Sequence, residues 1–294
     1  MKKILIIIFI FFFFCMQKTE ASITVQSAGS TVVSATQISQ PINVIISGLL
    51  NLLVTIKVKA LDSYITNTTD SSLRIPVSQL YLNDGSNSYQ MQNNIDVTIL
   101  SALISVATYT KPYTALVTNV SVIPAGTYNT RLQFTLDSTL STQTFTFTLS
   151  FVIPLDQSVS TTTTPVMITL TPENVFDTSA NIANTTSPQI NIKSNKKWKL
   201  LMDTSNLGTL IGNYYFQVLS ATSHVNEYST TPVKIEPNQQ YTLAKGTGTY
   251  TAPITGSYTT DYILLKYYLV NNSGTFLKEG TYNNYVKYIL QEDN

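Results

Sequence analysis

Apolar and polar residues alternate with period two along several stretches of the chain. Leu50, Leu52, Val54, Ile56 and Val58 alternate with Asn51, Leu53, Thr55, Lys57 and Lys59, and Leu53 is the exception to the pattern. Phe145, Phe147, Leu149 and Phe151 alternate with Thr146, Thr148, Ser150 and Val152. Period two sends successive side chains to opposite faces, so each stretch predicts a strand with one buried face. Tyr, Thr, Val and Ile, which favour strands, are abundant. Asn83-Asp84-Gly85-Ser86-Asn87 predicts a turn. No extended helical period stands out. Many short strands separated by turn residues predict an all-β chain built from sandwiches.

The pattern repeats. Ile23-Thr24-Val25 returns as Ile168-Thr169-Leu170, and Ile42-Asn43-Val44 as Ile190-Asn191-Ile192. Leu50-Asn51-Leu52-Leu53-Val54 matches Trp198-Lys199-Leu200-Leu201-Met202, and Gly126-Thr127-Tyr128-Asn129 returns as Gly280-Thr281-Tyr282-Asn283. The four matches keep their order, which predicts two tandem copies of one unit, with Leu50 and Trp198 in equivalent places. Asp156-Gln157-Ser158-Val159-Ser160 runs into Thr161–Thr164 and Pro165, a polar, extended segment that reads as a linker. The expected division is domain 1 over 22–155, a Thr-rich linker over 156–165 and domain 2 over 166–294.

The first residues change the setting. Lys2 and Lys3 precede an apolar run from Ile4 to Met16, and Thr19-Glu20-Ala21 has the form of a cleavage site. This predicts a signal peptide over 1–21, cut after Ala21. The apolar run is shorter than the ~20 residues a membrane span needs, and the mature chain holds no longer one. Cys15 closes the apolar run, but Phe14 before it is larger than a lipidation signal accepts, so lipid attachment is not expected. Cys15 is the chain's one cysteine, so the mature chain has neither disulfides nor thiolate metal sites. Its stability then rests on core burial. Cleavage removes Lys2, Lys3, Lys18 and Glu20 and takes the 17 basic and 16 acidic residues to 14 and 15. That balance lacks the basic footprint of a nucleic-acid binder.

Candidate chemistry is sparse. Asp84 stands nearly alone in its segment, whereas a calcium loop needs alternating carboxylates and a closing acid, so Asn83-Asp84-Gly85 reads as a turn. His224 is the single histidine, and Ser220 and Ser223 lie beside it in sequence. A triad has to meet in space, and no Gly-x-Ser-x-Gly turn is present, so His224 reads as a loop residue. No pair of acids marks a glycosidase cleft. Trp198 lies on an alternating segment opposite the position of Leu50 in the other copy, which reads as core. The tyrosines divide into six in domain 1 and twelve in domain 2. They read mainly as packing, with a recognition face as the alternative. The expectation is a non-enzymatic chain with no catalytic residues, no metal and no cofactor; its ligand residues are not legible.

Val122-Ile123-Pro124-Ala125-Gly126-Thr127-Tyr128, followed by Leu132, Phe134 and Leu136 in alternation, resembles the end of bacterial fimbrial and spore-coat-U-like subunits, in which a Pro-Ala-Gly-Thr-Tyr turn precedes the last strand. Trp198-Lys199-Leu200 is similar to a Trp-x-Leu strand of exported sandwich domains. Domain 2 departs from the turn pattern, with Lys278-Glu279 in place of Pro124-Ala125. The resemblance implies two immunoglobulin-like sandwiches in a pilus-type or surface-layer component, and it carries over no site residue.

Together these readings predict an exported cell-surface structural or adhesive protein, a fimbria-type subunit or tip adhesin, that assembles with itself or with other surface subunits. The alternative is a secreted carbohydrate- or ligand-binding module. Residues 145–152 have no counterpart in domain 2, and two readings stay open. Either they form an extra edge strand and domain 2 closes without one, or domain 2 has an open edge that accepts a strand from a neighbour. In the second case Ser22–Gln40, with Ile23, Val25, Val32 and Val33, is the expected donor.

Overall fold

The computed structural model describes residues 21–34, 37–48, 52–120, 123–162, 181–183, 187–207, 213–248, 261–270 and 285–293. The expected signal peptide, Cys15 and Leu50 lie outside these residues, as do 168–170 and 280–283. The described chain is all-β, with one short 3₁₀ turn at Val77–Gln79. It divides into two units. Unit 1 takes residues up to Val120 together with Gly126–Ile153; unit 2 takes Ser121–Ala125 and everything from Pro154.

Unit 1 holds β1 (Ser22–Ser27), β2 (Val32–Val33), β3 (Gln37–Ser47), β4 (Leu52–Ala60), β5 (Tyr64–Asn67), β6 (Arg74–Pro76), β7 (Leu80–Asn83), β8 (Ser88–Gln90), β9 (Val97–Ile104), β10 (Thr108–Thr118), β11 (Gly126–Ser138) and β12 (Thr142–Ile153). One sheet runs β1-β3-β10-β7-β8. The other contains β9-β4-β11, with β12 on the far edge of β11 and the β5–β6 hairpin beside its first residues. Unit 2 holds β13 (Gln157–Thr161), β14 (Asn181–Ala183), β15 (Gln189–Ser194), β16 (Trp198–Asp203), β17 (Asn213–Ala221), β18 (Val225–Tyr228), β19 (Val233–Lys234), β20 (Gln240–Gly246), β21 (Asp261–Val270) and β22 (Lys287–Glu292). Its sheets run β13-β15-β21-β17-β19 and β18-β20-β16-β22.

The two units share one strand order. In chain order, β1, β3, β7 and β10 occupy the places of β13, β15, β17 and β21, while β9, β4 and β11 match β20, β16 and β22. The first sheet is the A-B-E-D arrangement of an immunoglobulin-like sandwich and the second its C-F pair. Ile42-Asn43-Val44 and Ile190-Asn191-Ile192 fall on equivalent strands, β3 and β15. The strand equivalent to β1 is β13; residues 168–170, matched to Ile23-Thr24-Val25, lie outside the described residues.

Residues 157–161 therefore correct the linker reading. Val159 lies opposite Ile192, as Val25 lies opposite Val44 in unit 1. A run of Ser, Val and Thr is compatible with an edge strand, because Thr and Val fit a pleated surface and Ser tolerates the solvent face. In β4 the alternation is realised: Val54, Ile56, Val58 and Ala60 are fully buried. Leu52, an expected core residue, is only half-buried, and Leu53 is exposed. In unit 2, Trp198, Leu200, Met202, Phe216, Val218 and Leu265 form the centre of the core.

Candidate functional site

Strand β11 carries the key comparison. It is paired on both edges. On one side β4 meets Leu132–Ser138. On the other, β12 runs beside it from the Gly126–Ile153 pair to the Asp137–Thr142 pair. Leu149, Phe151 and Ile153 of β12 are buried, and Phe145 and Phe147 are half-buried on the same face. With that strand in place, Leu132, Phe134 and Leu136 of β11 are fully buried.

Strand β22 stands where β11 stands. It pairs with β16 from Trp198–Glu292 to Asp203–Lys287. Among the described residues no strand pairs its other edge. Directly paired residues share a sheet face, so Leu290 opposite Leu200 and Tyr288 opposite Met202 face the core. Both pack against that core, yet both are only half-buried. The Tyr288 hydroxyl is hydrogen-bonded to that of Tyr267 at 2.6 Å. Burial pushes both phenols above their ordinary range. Among the described residues the unit thus has a strand edge without a partner beside half-buried apolar side chains, at the place that β12 fills in unit 1.

The expected donor segment is not free. Ile23 and Val25 are buried, with β1 laddered onto β3 from Ser22–Ser47 to Ser27–Ile42. Val32 and Val33 pair with Ser39 and Ile38 of the same β3. Ser22–Gln40 is an integral part of unit 1. The reason is the alternation itself, since Ile23 and Val25 fill the edge of their own core.

The other candidate residues fall as follows. Asp84 closes a turn, accepting hydrogen bonds from the backbone N–H of Asn87 at 2.7 Å and of Ser86 at 3.0 Å, with Lys111 3.3 Å away. Those N–H donors hold its carboxyl down to about 2. Trp198 is fully buried among Leu200, Met202 and Phe216. His224 sits beside Asp261, a residue distant in sequence and fully buried. Its Nδ1 is 3.2 Å from an Asp261 Oδ1 that also accepts from the Thr222 hydroxyl at 2.8 Å. Among the described residues no serine hydroxyl is hydrogen-bonded to His224, and no cluster of three His, Cys, Asp or Glu is present. No helix among them is long and apolar enough to cross a membrane. Tyr113, Tyr128 and Tyr267 are packing residues; the Tyr113 hydroxyl donates to the Ile99 carbonyl at 3.1 Å.

No protein-family model and no curated protein sequence matches the chain. Among solved structures, the chain is similar to the CupB6 tip adhesin from Pseudomonas aeruginosa, at 10% identity and a TM-score of 0.42, over 93% of this chain and 95% of that one. It is also similar to the CooA pilin subunit from enterotoxigenic Escherichia coli, at 12% identity and a TM-score of 0.32, over 45% of this chain and 99% of that one.

Proposed function

We propose that this chain is an exported surface subunit whose second unit accepts a β-strand from another subunit along β22. The observation that carries the reading is the difference between β11 and β22: β11 is paired with β12, whereas among the described residues no strand pairs the second edge of β22, and Tyr288 and Leu290 are half-buried. An added strand gains main-chain hydrogen bonds along the edge, and its alternate side chains fill the apolar positions. Among the described residues β1 and β2 are laddered into unit 1, so neither supplies a free donor. The chain therefore serves as a terminal member of an assembly, with unit 1 as the part left to contact the surroundings. The leader read over residues 1–21 carries it out of the cell.

Supplying the strand within one molecule tests the reading. Residues 142–153 are fused behind Asn294 through the Asp137–Ser141 turn sequence, so that they can fold back along β22 as β12 folds along β11. The fused chain is expected to melt at a distinctly higher temperature than the parent. An unchanged or lowered melting temperature contradicts strand acceptance.

A further inference from the structure

The chain contains two arginines, Arg74 and Arg131. They lie 57 residues apart in sequence, and each touches a residue that lines one concavity in the β5–β11 part of unit 1: Arg74 touches Tyr64 and Arg131 touches Asp62. That concavity is a shallow cavity of about 500 Å³ lined by Leu61, Asp62, Ser63, Tyr64, Thr66 and Asn129. The juxtaposition follows from strand register. Thr66 is paired with Arg74 on one side and with Asn129 on the other, and Arg131 follows two residues along β11.

Each polar group at this site has a fixed orientation. The Arg74 guanidinium lies over the ring of Tyr64, 4.3 Å from its centroid. This cation–π contact holds the charge over the aromatic face. Among the described residues Arg74 makes no ion pair. Arg131 is anchored by Asp62, with Nη2 donating at 2.6 Å and the Arg131 backbone N–H at 2.8 Å. The guanidinium holds the Asp62 carboxyl below the usual carboxylate range. The Asn129 Oδ1 accepts the Ser150 hydroxyl at 2.8 Å, which leaves its amide N–H₂ as the group to meet a ligand. Ser63 Oγ accepts from Asn93 at 2.8 Å.

The result is a concavity with a tyrosine ring covered by one guanidinium, which has no ion-pair partner among the described residues, and with one oriented amide donor. Asp62 is already matched by Arg131, so Arg74 leaves the rim with a net positive charge. A neutral sugar needs donors and acceptors in balance, whereas this rim is rich in donors. Such a rim fits a pyranose that carries a carboxylate: Arg74 takes the carboxylate as a two-point, charge-assisted partner, and Asn129 and the hydroxyls of Ser63 and Thr66 meet the ring oxygens.

We infer that the concavity around Tyr64, Arg74 and Asn129 is a binding site for an acidic saccharide. The inference concerns unit 1 and stands whether or not β22 accepts a strand. Sialic acids and uronic acids share the required chemistry, and the test separates them. The full chain is titrated calorimetrically with 3′-sialyllactose, with trigalacturonate and with lactose at low salt. One or both acidic sugars are expected to bind about tenfold or more tightly than lactose, weakening as salt is raised. The acidic sugar that binds identifies the source of the carboxylate. Arg74→Ala is expected to lower that affinity about tenfold with an unchanged melting temperature, because Arg74 is exposed. Arg74→Lys, which keeps the charge and loses the planar fork, should lose most of the affinity as well. Equal binding of lactose, no binding by either acidic sugar, or an Arg74→Ala variant that binds like the parent overturns the site.

Discussion

Trp198 and Gly246 are ladder partners across β16 and β20, and the indole occupies the space into which a side chain on Gly246 would project. A Cβ placed on Gly246 meets Trp198 Nε1 at 2.7 Å and lies closer still to Cε2 and Cζ2. The ring is rigid and enclosed on all sides, so it cannot give way. Its N–H has no hydrogen-bond partner among the described residues, so packing alone holds it. Gly246→Ala is expected to destabilise unit 2 by about 1–3 kcal/mol, the usual cost of overpacking. Trp198→Ala should cost about 3–5 kcal/mol through the cavity it leaves. Denaturant melts of the full chain check both. If Trp198→Ala melts like the parent, the ring is not the centre of the core.

Asn195 gathers two distant passages of chain within unit 2. Its Nδ2 donates to the Pro154 carbonyl at 3.0 Å and to that of Ile123 at 3.4 Å, and its Oδ1 accepts the Asp156 N–H at 2.9 Å. Asn195→Ala leaves these backbone groups without their partner. A loss of about 1–3 kcal/mol follows, with faster amide exchange at Asp156. Unchanged exchange at Asp156 would show that the side chain holds nothing there.

Acid should act through the Asp84 turn. The carboxyl sits at about 2 when folded against an ordinary value of 3.8, chiefly because the Asn87 and Ser86 N–H groups donate to its charged form. A depressed folded value means that the contribution is fully present above the unfolded value and is lost as pH falls through the folded one. The parent should lose stability between about pH 4 and pH 2, and Asp84→Asn should lose less over the same window. Identical pH profiles for the two proteins would remove Asp84 from the account.

Base should act through the Tyr267–Tyr288 pair. Burial raises both phenols above 10.0. A raised value means that the contribution is complete below the unfolded pKa and is lost as pH rises through the folded one. Phenolate absorbance should therefore appear for this pair only as unit 2 opens at high pH. Tyr288→Phe breaks the 2.6 Å hydroxyl contact and should cost about 1 kcal/mol. Ionisation of both phenols at the ordinary pH, with unit 2 still folded, would contradict their burial.

What the sequence made legible was whatever lay in period-two alternation. Val54, Ile56 and Val58 in β4, and Leu149 and Phe151 in β12, announce both strand and buried face. β13 was hidden because Val159 is its one strong apolar residue, and its Ser and Thr neighbours read as linker. The donor reading of Ser22–Gln40 missed that Ile23 and Val25 fill their own core edge. Contacts between distant strands left no local signal. Asp261 comes to His224 across 37 residues, and Arg74 comes to the same strand register as Asn129 only through the pairing of β5 with β6 and β11. The one trace of the second site in the sequence is compositional, a chain rich in lysine with two arginines.

Among the described residues one edge of β22 has no partner strand. Amide hydrogen exchange across Lys287–Glu292, compared with Gly126–Ser138 in the same molecule, tests it most directly. A strand paired on one side leaves alternate N–H groups open to solvent, whereas a strand paired on both sides protects nearly all of them. In the parent chain, amides of β22 should exchange much faster than those of β11. In the chain carrying residues 142–153 behind Asn294, the β22 amides should slow toward those of β11. If β22 is already as protected as β11 in the parent, or if the added strand leaves its exchange unchanged, the edge is not an acceptor.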